Sequence, residues 1–130
     1  MRPRRGDRRD GGAAVVDFVL VTAVVVPLVL GVIQVGVVLH VRNTLTAAAS
    51  EGARLAATAD HEPADGAART RATVTEVLAA HYADDVSART TSVAGAPVVV
   101  VRVEAAVPAL GFLGPSVRVS VEGHAVEEPP

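Results

Sequence analysis

Residues 18 to 41 contain no Asp, Glu, Lys or Arg and consist mostly of Val and Leu. About 20 such residues suffice to cross the hydrocarbon of a bilayer as a helix, so this run is predicted to span a membrane. The residues before it, Met1 to Gly12, hold five arginines against two aspartates, a net charge of +3. From Asn43 onward six arginines face eleven acidic residues, a net charge of −5. An excess of positive charge marks the side that stays in the cytoplasm, so the head is expected inside and everything after the span outside.

The remaining chain is short. In 130 residues with a span of this length, the exported part is one small domain, and its core must be built from Val, Ala and Leu because only Phe18, Tyr82 and Phe112 are aromatic. There is no cysteine, which excludes disulfides and thiol chemistry. All twelve basic residues are arginine, a compositional bias that carries no functional meaning here.

A basic start followed by an apolar run is also the general form of a secretory signal, with Ala47 to Ala49 as a cleavage region. The run is about twice the 7 to 15 residues of a signal core, which favours a retained span. The pairs Arg4-Arg5 and Arg8-Arg9 read as topology charges rather than a twin-arginine signal, and Arg5-Gly6-Asp7 as a chance adhesion tripeptide.

Helical spacing continues past the span. Leu45, Ala48, Ala49, Gly52, Leu55 and Ala56 recur on one face, while Arg42, Asn43, Thr46, Ser50, Glu51 and Arg54 take the rest. One helix over 13–59 would be about 70 Å long. Alternating steps of three and four trace a stripe through Asp17, Leu20, Val24, Pro27, Gly31, Gln34, Val38, Val41, Leu45, Ala48 and Gly52. Glycines allow close approach and an amide in lipid seeks a partner on another helix, so Pro27, Gly31, Gln34 and Gly52 mark a helix-packing surface. Pro27 removes one backbone bond and clashes with the carbonyl of Ala23, which bends or loosens the helix.

Residues 60–66, Asp-His-Glu-Pro-Ala-Asp-Gly, form a turn-rich linker, and 67–130 form a small extracytoplasmic domain. A second helix is predicted from Ala68 to Ala83, with Val74, Val77, Leu78, His81 and Tyr82 on its apolar face. Beyond Ser87 the period changes to two. Val99, Val101, Val103, Ala105 and Val107 share one face of a strand, Val117, Val119 and Val121 repeat the pattern, and a weaker strand covers Arg89 to Val93. Pro108 to Pro115 is a loop. With the second helix covering an antiparallel sheet, the fold class is α+β.

Catalytic and ligand signatures are missing from this pattern. His40, His61, His81 and His124 are scattered, and His81 with Asp84 and Asp85 is the nearest approach to a metal spacing without amounting to one. There is no phosphate loop, no nucleophile elbow and no basic, aromatic surface for nucleic acid. The chain is expected to be no enzyme and to use no cofactor.

Gly12 followed by Ala13-Ala14-Val15-Val16-Asp17-Phe18 resembles a type IV prepilin-like processing site, a basic leader ending in glycine with an acid at the fifth mature position. The longer run, through Gly31-Val32-Ile33-Gln34-Val35-Gly36 and Val41-Arg42-Asn43-Thr44-Leu45 to Glu51-Gly52-Ala53-Arg54-Leu55-Ala56-Ala57, resembles the TadE/TadG family of tight-adherence pilus assembly. The resemblance covers roughly the first half of the chain. It implies a minor, pseudopilin-like subunit in the cell membrane with a pilin-like architecture, cut between Gly12 and Ala13 by a prepilin peptidase. Its partners would be other pilin-like or TadE/TadG-like subunits and the assembly machinery, with Asp17 and Phe18 at the subunit pairing and Glu51, Gly52, Ala53 and Arg54 as a family motif. Cleavage would leave the Ala13 ammonium one turn from Asp17, each able to neutralise its counterpart on a neighbour. The alternative is a single-pass anchored binding module that keeps residues 1–12.

Overall fold

The computed structural model describes residues 10–110 and 114–127. Most of the basic leader 1–12, and Phe112 of the loop, therefore lie outside the described residues.

One helix, α1, runs unbroken over Asp10–Ala56 and contains Pro27. At 1.5 Å per residue its 47 residues make a rod of about 70 Å. It is followed by helix α2 (Pro63–Val77), a single 3₁₀ turn (Ala80–Ala83) and three strands, β1 (Asp85–Val93), β2 (Ala96–Val107) and β3 (Val117–Val126). The strands form one antiparallel sheet in the order β1-β2-β3. Long helix, second helix and antiparallel sheet make the α+β fold expected from the change of period at Ser87.

Helix α2 begins at Pro63, inside the stretch read as a linker over 60–66. Pro63 occupies the first helical turn, where its missing N–H costs nothing, and the Asp65 carboxylate accepts the Glu62 backbone N–H at 2.9 Å. Helix-start chemistry therefore wins over the turn propensity of Pro, Asp and Gly. The same helix stops at Val77 rather than Ala83, because Leu78 is extended (φ −116, ψ −153). The 3₁₀ turn that follows buries Tyr82 and leaves His81 outside, its ring tilted by 38° against the Tyr82 ring with centroids 4.0 Å apart. Val77, expected on the apolar face, is 58% exposed.

The larger correction concerns what covers the sheet. Helix α1, not α2, lies across β2 and β3, while α2 packs on α1 and reaches β1. Val99, Val101, Val103 and Val107 of β2 are buried on the inner face with Val119 and Val121 of β3 and Val86 of β1. Against them α1 presents Val41, Leu45, Ala48, Ala49, Ala53, Ala56 and Ala57, all buried. Small residues on that helix face bring its backbone close to the strands, which lets a core of valine and alanine with Tyr82 pack closely. The opposite face of the sheet carries Arg102, which pairs with Glu104 at 2.6 Å and with Glu122 at 3.5 Å. Val98 and Val100 share that face yet are buried, flanked across the ladder by Thr91 and Val126 and by Arg89 and His124.

β1 starts at Asp85, earlier than the weak segment expected from Arg89. Its Ser, Thr and Arg side chains suit an edge strand whose partner is the valine-rich β2, and pairing along that partner extends it. A two-residue turn, Ala94-Gly95, joins β1 to β2 with both residues at positive φ (51 and 85). Such hairpins suit the twist of the strands but strain a residue with a Cβ. Ala94→Asn is expected to raise the stability of the folded domain by up to about 1 kcal/mol, read as a higher thermal midpoint in detergent.

Candidate functional site

Every residue from Gly11 to Ile33 is exposed, and the side chains include Val15, Val16, Phe18, Val19, Leu20, Val24, Leu28 and Val32. This bare segment is about 34 Å long at 1.5 Å per residue, close to the roughly 30 Å of a bilayer's hydrocarbon. Its length and composition are those of a membrane span. The bare segment is displaced toward the N terminus from residues 18–41, because Val41 is 3% exposed beneath the sheet and Val37 and Val38 pack against the same core. Residues 34–41 thus serve two ends, continuing the helix and seating the domain.

Gln34 marks the change. Its side-chain amide donates to the Pro108 carbonyl at 3.2 Å, and its Oε1 accepts the Leu110 backbone N–H at 2.7 Å. The group expected to seek a neighbouring helix is engaged by the chain's own β2–β3 loop. The stripe through Asp17, Leu20, Val24, Pro27, Gly31, Gln34 and Gly52 accordingly divides. Asp17 to Gly31 stand open on α1, with nothing within 4 Å of where a Gly31 Cβ would sit, whereas Gln34 to Gly52 face the domain. Phe18 is 71% exposed beside Asp17, and Gly12 and Ala13 lie in the first turns of α1. Among the described residues no ion pair involves Asp17.

Glu51, Gly52, Ala53 and Arg54 occupy successive positions around α1 and so have different tasks. Gly52 and Ala53 point inward and are buried; Glu51 and Arg54 are exposed. At Gly52 the two helices cross. A Cβ there would overlap the Thr70 hydroxyl, and one on Gly66 of α2 would stand 2.6 Å from the Gly52 carbonyl oxygen and 2.7 Å from the Ala56 Cβ. Two glycines face to face remove the side chains that would hold the backbones apart. Thr70, fully buried in this crossing, shares its hydroxyl proton between the carbonyls of Gly66 (2.9 Å) and Ala48 (3.2 Å). Outside, the Arg69 guanidinium donates to the Glu51 carboxylate at 2.6 and 2.9 Å.

A third glycine was not singled out by sequence reasoning. Gly123 of β3 lies directly under the α1 backbone, where a Cβ would collide with the carbonyl of Ala49 and the amide of Ser50. It shares a cross-strand row with Ala88 and Val101. The sequence signal was a glycine falling in phase with Val117, Val119 and Val121 on the inner face of a strand, where close backbone approach is the usual reason for it.

His81, Asp84 and Asp85 line an open depression with Arg102, Glu104 and Arg118. Among the described residues no group of three or more His, Asp or Glu side chains is arranged to hold a metal ion.

These features define a single-rod α+β protein: a bare apolar helix of membrane length that continues without a joint into a small helix-and-sheet domain. Residues 12–54 match the family model described as TadE-like protein. The likeness covers a third of the chain and is consistent with a TadE/TadG-like protein. No curated protein and no solved structure matches the chain.

Proposed function

We propose that the protein is a minor, pseudopilin-like subunit of a tight-adherence pilus or secretion system, held in the membrane by α1 with residues 1–12 in the cytoplasm and the α+β domain outside. The observation that carries this reading is the coincidence of the TadE-like match, residues 12–54, with both the bare apolar half of α1 and the half that seats the domain. The +3 charge of residues 1–12 supports the orientation.

In this reading a prepilin peptidase cuts between Gly12 and Ala13, and the new Ala13 ammonium neutralises Asp17 of an adjacent subunit. A carboxylate at the centre of a membrane helix costs about 2.5 to 3.5 kcal/mol, and less near the end, so pairing recovers part of that cost and fixes subunit register. Pro27 and Gly31 lie on the open stripe against which neighbouring helices pack, and Phe18 stands beside Asp17 at the subunit pairing. Gln34 and Gly52, by contrast, hold the subunit's own domain to its rod.

The test is the mass of the membrane-extracted protein in cells that contain a prepilin peptidase. The expected product begins at Ala13, and Gly12→Val makes the uncut form accumulate. An intact N terminus in the unsubstituted protein would overturn processing and favour an anchored binding module. Asp17→Asn is expected to be cut normally but to enter the assembled fraction several-fold less than the native chain, because the counter-charge of the Ala13 ammonium is lost. Undiminished assembly would remove Asp17 from the pairing.

A further inference from the structure

We propose that the two open edges of the sheet pair with each other between copies of this chain. Strand β3 of one copy lies parallel to β1 of a second, with Arg118 opposite Asp85 and Glu122 opposite Arg89 of that second copy. The inference names a partner surface apart from the bare helix, and only the common direction of the rods rests on the membrane reading of α1.

In a sheet of order β1-β2-β3 each outer strand has one unpaired side. The Glu127 N–H donates to the Pro97 carbonyl at 2.9 Å, so alternation along the ladder turns the backbone groups of Arg118, Ser120, Glu122 and His124 to the open edge of β3. On β1 the Arg71 guanidinium donates to the Val86 carbonyl at 2.6 Å, which marks Val86, Ala88, Thr90 and Ser92 as the outward groups there. Among the described residues this is the one bond made to either edge from outside the sheet. Edges that stand alone are blunted by prolines, bulges or a cover. Neither strand contains proline, and both ladders run without a bulge.

Direction and charge select the occupant. β1 and β3 are each antiparallel to β2 and so run the same way. Helix α1 runs along β3, from Gln34 beside Pro108 to Ala49 beside Gly123. Placing β3 of one copy beside β1 of another therefore keeps both rods pointing the same way, as insertion in one membrane requires. Antiparallel pairing of β3 with β3 would reverse one rod. The slanted bonds of a parallel ladder join each residue to the two neighbours of the one opposite it. The outward residues of β3 then stand opposite Asp85, Ser87, Arg89 and Thr91, whose side chains share the outer face of the sheet with theirs. Arg118 opposite Asp85 brings Ser120 to Ser87, Glu122 to Arg89 and His124 to Thr91, which makes two attractive pairs and opposes no like charges. A level continuation, with Ser120 opposite Asp85, makes no attractive pair and sets His124 against Arg89. Arg118, Asp85 and Arg89 are exposed and form no ion pair among the described residues. The attractive register displaces the second copy by two residues, about 7 Å, along the strands. Contacts between unlike edges with such a step repeat into a filament rather than closing as a pair.

The chain has no native cysteine, so introduced cysteines report pairing without background. Ser87→Cys and Ser120→Cys are combined in the full-length protein, which is reconstituted in vesicles of phosphatidylcholine and phosphatidylglycerol and oxidised. Within one chain β2 separates the two positions by about 10 Å, beyond the roughly 7 Å that a disulfide spans between Cα atoms, so any bond joins two copies. The double variant should give dimers, trimers and higher multiples that reductant dissolves, and neither single variant should give any. Arg118→Glu in the double-cysteine chain should lower the yield several-fold, and adding Asp85→Arg should restore it. Dimers from Ser120→Cys alone would overturn the proposal, as would a yield indifferent to Arg118→Glu. A higher yield from Thr91→Cys with Val126→Cys, which reports the level register, would overturn it too. Flotation with the vesicles reads anchoring separately. Floating protein that stays monomeric would sink the edge pairing and leave the membrane reading standing, whereas multiples formed by protein that does not float would support the pairing and remove the membrane reading.

Discussion

Gly123→Val is expected to destabilise the domain by about 3 kcal/mol, enough to turn a small folded head into a protease-sensitive one. The cause is geometric. The β3 backbone at Gly123 and the α1 backbone at Ala49 and Ser50 are closer than any side chain permits, so a branched residue must lift the helix from the sheet. Lifting it opens the contacts of Leu45, Ala48 and Ala53 with Val101 and Val121, because all belong to one continuous core. Limited proteolysis and thermal melting of the detergent-solubilised protein check this. An unchanged melting midpoint for the Gly123→Val variant would mean that the helix does not lie on the strand at that point. Ser120→Val, on the exposed face of the same strand, should change stability by less than about 0.5 kcal/mol.

The second large effect is expected at Gly52. Gly52→Val should cost about 2 to 3 kcal/mol by forcing α2 away from α1, since the new side chain would occupy the place of the Thr70 hydroxyl. That displacement also breaks the bonds from Thr70 to Ala48 and Gly66, leaving buried carbonyls without their hydroxyl partner. Next to it in sequence, Glu51→Gln removes an ion pair whose two side chains are about half exposed, and such pairs contribute at most about 1 kcal/mol. Comparing the two variants by chemical denaturation separates the roles within the Glu51-Gly52-Ala53-Arg54 segment. A larger loss at Glu51 than at Gly52 would contradict the crossing geometry.

The rod and the valine-rich strands were legible in the sequence because each repeats one simple period for long enough. A run without charges reads as a membrane helix, and Val99 to Val107 reads as a half-buried strand. The bounds of α2 were less legible: Pro63 and Asp65 belong both to turns and to helix starts, and only the bond from Glu62 decides between them. The covering of the sheet by α1 was hidden for another reason. In a run so rich in valine every stripe is apolar, so the pattern could not show where lipid-facing surface ends and the domain's own core begins. That boundary depends on Gln34, whose partners are 74 and 76 residues away in the chain. Spacing within one helix carries no information about such a partner. For the candidate site, the residue types at Gly12, Asp17 and Phe18 could be picked out from their order alone, but the intramolecular use of Gln34 and Gly52 required the fold.

Because α1 crosses from its bare end into the sheet without a break, and because Gln34 clasps the loop beside it, the domain has no swivel. Above Pro27 a turn of the rod is a turn of the domain, so a one-residue advance in how neighbours grip the rod there turns the outward face by the same angle, about 100°. The molecule is in this respect a key rather than a tethered weight: what grips the shaft decides which way the bit points.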